Sequence, residues 1–271
     1  MSSDRARQLD LFGEAGRRPH QTKVPAAGRP RLVAPELDDE ALVAAIPSAS
    51  LGDCRGLAAE AGHRRLTAAI HALEALCRRF RGFGVEEEIQ EQATALEALG
   101  MIGGREAAQA VMRLIAGQVV QGPGLKAAIA AAALLGVSLP GSVAVALLRH
   151  PAPEIRAGAC RCAGRAPAAI PLLVELLDDT DHVVAMEAAC ALGRWGRHEA
   201  RPLLLRLLRE QPWAAIIDAV SGVADEECLV LIGRIAQKEP HLADAALAAL
   251  EADGSPRAMT IAATVRRSQQ A

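Results

Sequence analysis

The chain has 271 residues and a net charge of −2; 51% of it is apolar, yet aromatics reach only 2% and Tyr is absent. That length suits one large domain or a repeat array, and near-neutrality excludes a global pull toward nucleic acid or a membrane surface. A core without aromatics must be built from Ala, Leu, Val and Ile, and an Ala- and Leu-rich chain favours helix.

Residues 1–35 form the first region. Gly, Pro, Arg and small polar residues dominate, and Pro19, Pro25, Pro30 and Pro35 forbid a continuous helix. This stretch reads as a disordered tail whose basic bias serves solubility. Within it, Leu9, Leu11 and Phe12 stand close together, and Phe12 is one of only three phenylalanines. Gln8, Leu9, Asp10, Leu11 and Phe12 spell QLDLF. This resembles the pentapeptide Q-L-[S/D]-L-F by which bacterial polymerases, mismatch-repair proteins and replication regulators dock on the DNA polymerase sliding clamp. The resemblance implies Leu11 and Phe12 as apolar anchors, Gln8 as a hydrogen-bonding group at the pocket rim, and Leu9 and Asp10 as residues that set the approach. The competing reading is that Leu9–Phe12 folds back onto the first helices.

From Pro35 onward apolar residues recur at helical spacing, interrupted every ten to fifteen residues by Gly or Pro. Residues 36–84 predict a helical cap, with helices near 38–46, 51–61 and 63–80. Residues 85–271 predict a repeat array of five or six helix pairs. APEIRAGACRCAG (152–164) aligns without a gap on DHVVAMEAACALG (181–193), pairing Ile155 with Val184, Ala159 with Ala188 and Gly164 with Gly193. Each segment reads as a helix stopped by Gly. Each precedes a second helix with Pro171 or Pro202 in its first turn, where a missing N–H costs nothing. Gly100, Gly136 and Gly222 read as further stops. In this register Glu175 falls opposite Arg206, Asp178 opposite Arg209, and Trp213 in the apolar slot of Val184 and Ile155. No pair hides its apolar face alone, so the pairs must stack.

The two aligned segments resemble HEAT-like repeats of the phycobilisome-lyase type, whose signature is D-P-x-V-R-x-x-A-A-x-A-L-G. DHVVAMEAACALG departs from it at His182 and Ala185; APEIRAGACRCAG keeps Pro153, Ile155 and Arg156. The resemblance implies an all-α solenoid of antiparallel helix pairs. It leaves the task open, because such repeats serve as scaffolds, assembly factors, lyase-type chaperones and, rarely, enzymes.

Signals for chemistry are sparse. His198-Glu199 resembles the iron-binding pairs of deoxyhypusine hydroxylase, but that family needs several on matched repeats and this chain has one. Trp213 and Asp218 invite comparison with HEAT-like alkylpurine DNA glycosylases, but base stacking wants several aromatics. Six cysteines (Cys54, Cys77, Cys160, Cys162, Cys190 and Cys228) form no CxxC pair and read as reduced, packed thiols. Arg161, Arg165, Arg194, Arg197 and Arg201 gather at the ends and turns of two adjacent repeats and form a candidate phosphate-contacting ridge. LKAAIAAAALLGV (125–137) is too short for a membrane span, and no apolar signal-peptide core opens the chain. The sequence therefore predicts a bacterial, cytoplasmic, non-catalytic adaptor without metal or cofactor. Its partners would be the sliding clamp and an unidentified protein on the solenoid, with DNA contacted at most indirectly. The alternatives are a clamp-tethered HEAT-like glycosylase and an assembly factor unrelated to DNA.

Overall fold

The computed structural model describes residues 34–270, and the QLDLF peptide lies outside them. A short helix α1 (Asp39–Ala45) leads into seven antiparallel pairs. They are α2 (Leu51–His63) with α3 (Ile70–Arg79), α4 (Gln90–Ile102) with α5 (Gly104–Ala116), and α6 (Gly124–Leu134) with α7 (Gly141–Leu148). Next come α8 (Pro153–Cys162) with α9 (Ile170–Glu175), α10 (His182–Arg194) with α11 (Arg201–Glu210), α12 (Ala214–Ser221) with α13 (Glu226–Lys238), and α14 (Ala243–Asp253) with α15 (Pro256–Gln270). The first helices stack in series, α2 on α4, α4 on α6, and so on to α12 on α14. The second helices form the other layer, with α3 against α5, α11 against α13 and α13 against α15. The result is an α-solenoid with one apolar core running from Ala34 to Val265.

Local chemistry explains where helices begin. Asp38, Asp181 and Asp225 are extended N-caps whose carboxylates accept hydrogen bonds from the backbone N–H groups of Ala41, of Val183 and Val184, and of Cys228. Pro171 and Pro202 occupy first turns, as predicted. The predicted helix 63–80 begins only at Ile70, because Arg65 takes a left-handed φ of 53° and turns the chain. Arg64 then fastens the start of the solenoid. Its guanidinium donates to the carbonyls of Ala34, Pro35 and Leu37 and pairs with Asp39 and Glu60.

Glycine has two different jobs here. Gly136 and Gly164 have φ of 63° and 58° and stop α6 and α8. Gly193 lies inside α10, and Gly222 caps α12 with φ −71°, so neither is the left-handed stop that the alignment predicts. Gly196, at φ 73°, takes that role after α10. Gly193 is there because α10 and α12 nearly touch. A Cβ at this position would sit 2.5 Å from the Ala219 carbonyl oxygen and 2.6 Å from the Leu204 side chain. Gly193→Ala therefore forces backbone apart, and the expected loss is about 1–3 kcal/mol, the usual cost of overpacking. A thermal melt against the parent protein checks this; an unchanged melting temperature would mean the helix layer yields freely.

The predicted ladder of charges between second helices does not form. Beyond Glu175 the chain tightens into a 3₁₀ turn, Leu176–Asp178, which carries the later acids off the axis of α9. Neither Glu175 with Arg206 nor Asp178 with Arg209 is an ion pair; Arg209 reaches Glu227 on α13 instead. A more buried ion pair fastens the fourth repeat to the link before α10, Arg156 with Asp179. Arg156 Nε and Nη2 donate to the two carboxylate oxygens at 2.8 Å each, and Nη1 donates to the His150 and Pro151 carbonyls.

Candidate functional site

Because the first helices are stacked in the same sense, the turns leading from first to second helix lie in one row along an edge of the solenoid. Contacts link each turn to the next. A hollow of about 750 Å³ is lined jointly by Gly62, His63 and Arg65 of the first pair, Gly100–Arg105 of the second and Leu134–Leu135 of the third. The Leu139 N–H donates to the Cys162 carbonyl at 2.8 Å, joining the third turn to the fourth. Arg165 Nη2 donates to the Arg194 carbonyl at 3.1 Å, joining the fourth to the fifth.

The five arginines of the predicted ridge all map to this edge, but not as equals. Arg161, in the last turn of α8, pairs with Glu187 at 3.3 Å. Arg197 pairs with Glu199 at 2.5 Å within its own turn. Arg201, at the start of α11, is engaged by Asp225, with Glu227 at 3.6 Å. Arg165 and Arg194 have no carboxylate within ion-pair distance among the described residues. Glu187 is mostly buried between its neighbours. Burial pushes its carboxyl above the ordinary range, against the opposing pull of Arg161 and Arg194.

The residues weighed for catalysis do not assemble. His198 and Glu199 lie in an exposed 3₁₀ turn, and Asp218 is on the exposed side of α12. Trp213 does not fill the apolar slot. It is the extended N-cap of α12 and is 49% exposed, because the helix starts only at Ala214; Ile216 takes the slot and is fully buried. All six cysteines are free and buried. Burial pushes the thiols of Cys162 and Cys190 up to about 11 and that of Cys77 up to about 12, which keeps them protonated and unreactive at neutral pH. Among the described residues no group of three His, Cys, Asp or Glu side chains is placed to hold a metal ion. None of the described helices is long and apolar enough to cross a membrane.

The opposite edge, where second helices return to first, has another character. Glu86, Glu87 and Glu88 are exposed in succession there. Leu51, Phe83, Val85, Val183 and Trp213, at or beside the starts of first helices, are large apolar side chains left exposed. Sequence periodicity gave no hint of these, because they stand in the links between helices or in their opening turns.

Comparison with known proteins agrees with this architecture. The HEAT repeats family matches residues 142–224. No curated protein matches the chain in sequence. Among solved structures, the complex of CpcE and CpcF of phycocyanin lyase from Nostoc sp. PCC7120 is similar at a TM-score of 0.57 and 17% identity, covering 89% of this chain and 98% of that one. An engineered protein is similar at a TM-score of 0.49 and 19% identity, covering 86% of this chain and 78% of that one. Likeness at such identity is a likeness of fold: the chain is an all-α solenoid of antiparallel helix pairs, and its stretch 142–224 matches HEAT repeats.

Proposed function

We propose that the protein is a non-catalytic adaptor. Gln8, Leu9, Asp10, Leu11 and Phe12 dock it on the bacterial DNA polymerase sliding clamp, and the solenoid presents a second protein to replication, repair or damage tolerance. The observation that carries this reading is the complete QLDLF pentapeptide set ahead of a repeat array. The solenoid supports it in two ways. Its exposed features are long edges rather than one enclosed pocket with converging titratable groups, which suits binding of macromolecules. A solenoid of similar fold, in CpcE and CpcF, works as part of a complex of two proteins.

The test is a pull-down from bacterial lysate with the intact protein and with residues 1–15 removed. The clamp is expected with the intact chain and not with the truncated one, while the solenoid's own partner is retained by both. Equal recovery of the clamp by both proteins, or by neither, overturns the reading.

A further inference from the structure

We infer that the edge formed by the first-to-second-helix turns of pairs one to five is a docking surface for the phosphate backbone of duplex nucleic acid, through Arg65, Arg105, Arg165 and Arg194. This goes beyond the clamp reading and needs neither the QLDLF peptide nor the clamp.

The argument begins with what the fold does to the arginines. In the sequence, Arg65 and Arg105 are remote from Arg165 and Arg194, and nothing marks them as one set. Stacking brings their turns into one row, linked turn to turn through the shared hollow, the Leu139–Cys162 hydrogen bond and the Arg165–Arg194 hydrogen bond. The same stacking takes Arg161 and Arg201 out of the set, since Glu187 and the Asp225–Glu227 pair neutralise them. Arg65, Arg105, Arg165 and Arg194 have no carboxylate within ion-pair distance among the described residues. Asp39 and Glu40 line a hollow beside Arg65, but Asp39 is already held by Arg64.

Charge complementarity selects the occupant. Unneutralised cations repeat along a rigid edge, in four of five consecutive turns, which matches a partner whose negative charge also repeats along its length. All four are arginines, whose planar fork suits phosphate oxygens. The approach is open: side chains at Gly103 and Gly104, between Arg65 and Arg105, would meet nothing within 4 Å. Aromatic platforms for unstacked bases are missing from this row, since Trp195, its one aromatic, is partly buried against the core. A surface with backbone contacts and no stacking platform suits a duplex rather than a single strand. The opposite edge, with Glu86–Glu88 exposed, repels the same partner and so fixes which side faces it.

The experiment compares three full-length proteins by fluorescence anisotropy with a labelled duplex of random sequence, between 50 and 200 mM salt. One is the parent. The second carries Arg65→Ala, Arg105→Ala, Arg165→Ala and Arg194→Ala. The third carries Arg81→Ala, Lys126→Ala, Arg149→Ala and Lys238→Ala, which removes the same net charge elsewhere on the solenoid. Each phosphate contact adds about 0.9 to the slope of log affinity against log salt, so four contacts account for roughly a hundredfold of the affinity that the parent loses over this range. The edge variant is expected to lose that part of the slope, and the control variant to keep it. If the parent binds no duplex at 50 mM salt, the edge faces something else, such as an acidic protein, and the inference fails. It fails equally if both variants lose the same slope, because the net charge would then be responsible, or if neither does, because the basic tail would be. A thermal melt of each variant confirms that the solenoid is intact. No clamp is present in this assay and no DNA in a titration of the residue 4–16 peptide with purified clamp, so the two readings fail separately.

Discussion

Replacing Arg156 with Ala is expected to destabilise the solenoid by about 3 kcal/mol at neutral pH, the cost of leaving one partner of a buried ion pair alone. Arg156 and Asp179 keep only 16% and 7% of their side-chain surface exposed, and they tie the fourth repeat to the link before α10. Without the guanidinium, the Asp179 carboxylate retains one N–H, that of Asp181 at 2.9 Å, and the carbonyls of His150 and Pro151 lose their donor. Hydrogen bonds from Arg156 hold the Asp179 carboxyl below the ordinary carboxylate range, against the opposing effect of burial. A carboxylate whose folded value is depressed contributes stability above its unfolded value, about 3.9, and loses it as pH falls through the folded value. The gap between parent and variant should therefore be wide at pH 7 and narrow at pH 3. Glu74 and Asp225 are also depressed, by Arg113 and by the Cys228 N–H respectively, but they are common to both proteins and cancel in the difference. In a chain of this size 3 kcal/mol corresponds to roughly 6–12 °C in melting temperature. Arg156→Lys should fall between the two, because an ammonium cannot grip both carboxylate oxygens as a fork does. A gap that stays constant with pH would assign the effect to packing of the arginine stem.

What the sequence revealed, and what it hid, follows from the range of each interaction. Helix starts at Pro171, Pro202 and Asp181 depend on neighbours within a turn, so local patterns locate them. The alternation of Ala-rich and Leu-rich helices reports burial directly, and it predicts the two stacked layers. Glycines were legible only in part. Gly164 and Gly193 align perfectly, yet one serves a left-handed turn and the other lets two helices touch; both demands read as the letter G. Charged pairs failed for a related reason. A register that is right for the helices says nothing of a 3₁₀ turn at Leu176–Asp178, and past that turn it is Asp179 that pairs, with Arg156. Arg65 and Arg105 were invisible as part of the arginine edge because their proximity to the later turns exists only after stacking. The apolar links at Phe83, Val85 and Trp213 lie where no periodicity operates.

Changing Leu11 and Phe12 together to Ala is expected to abolish binding of the sliding clamp. Burying the two side chains contributes roughly 1.5–3 kcal/mol each. Leu9 and the hydrogen bonds of Gln8 add to this, and ordering the peptide takes some of it back. A net near −8 kcal/mol corresponds to a Kd of about 1 μM. Losing both anchors would weaken that by 3–6 kcal/mol, or about a hundredfold or more, beyond any ordinary titration. A labelled peptide of residues 4–16 should therefore bind purified clamp in the micromolar range by itself, and the doubly substituted peptide should not. The chain between Phe12 and Ala34 is residues 13–33, and 21 residues span at most about 70 Å. A link of that reach leaves the solenoid room to stand off the clamp while its own partner binds. On the adaptor reading, the same double substitution in the full protein should leave the melting temperature unaltered. Fold-back of Leu9–Phe12 onto the first helices predicts the reverse, a silent peptide and a less stable protein. One fluorescence titration and one melt thus separate the two. A peptide still unbound at about 100 μM clamp, where a 1 μM site would be almost saturated, ends the adaptor reading.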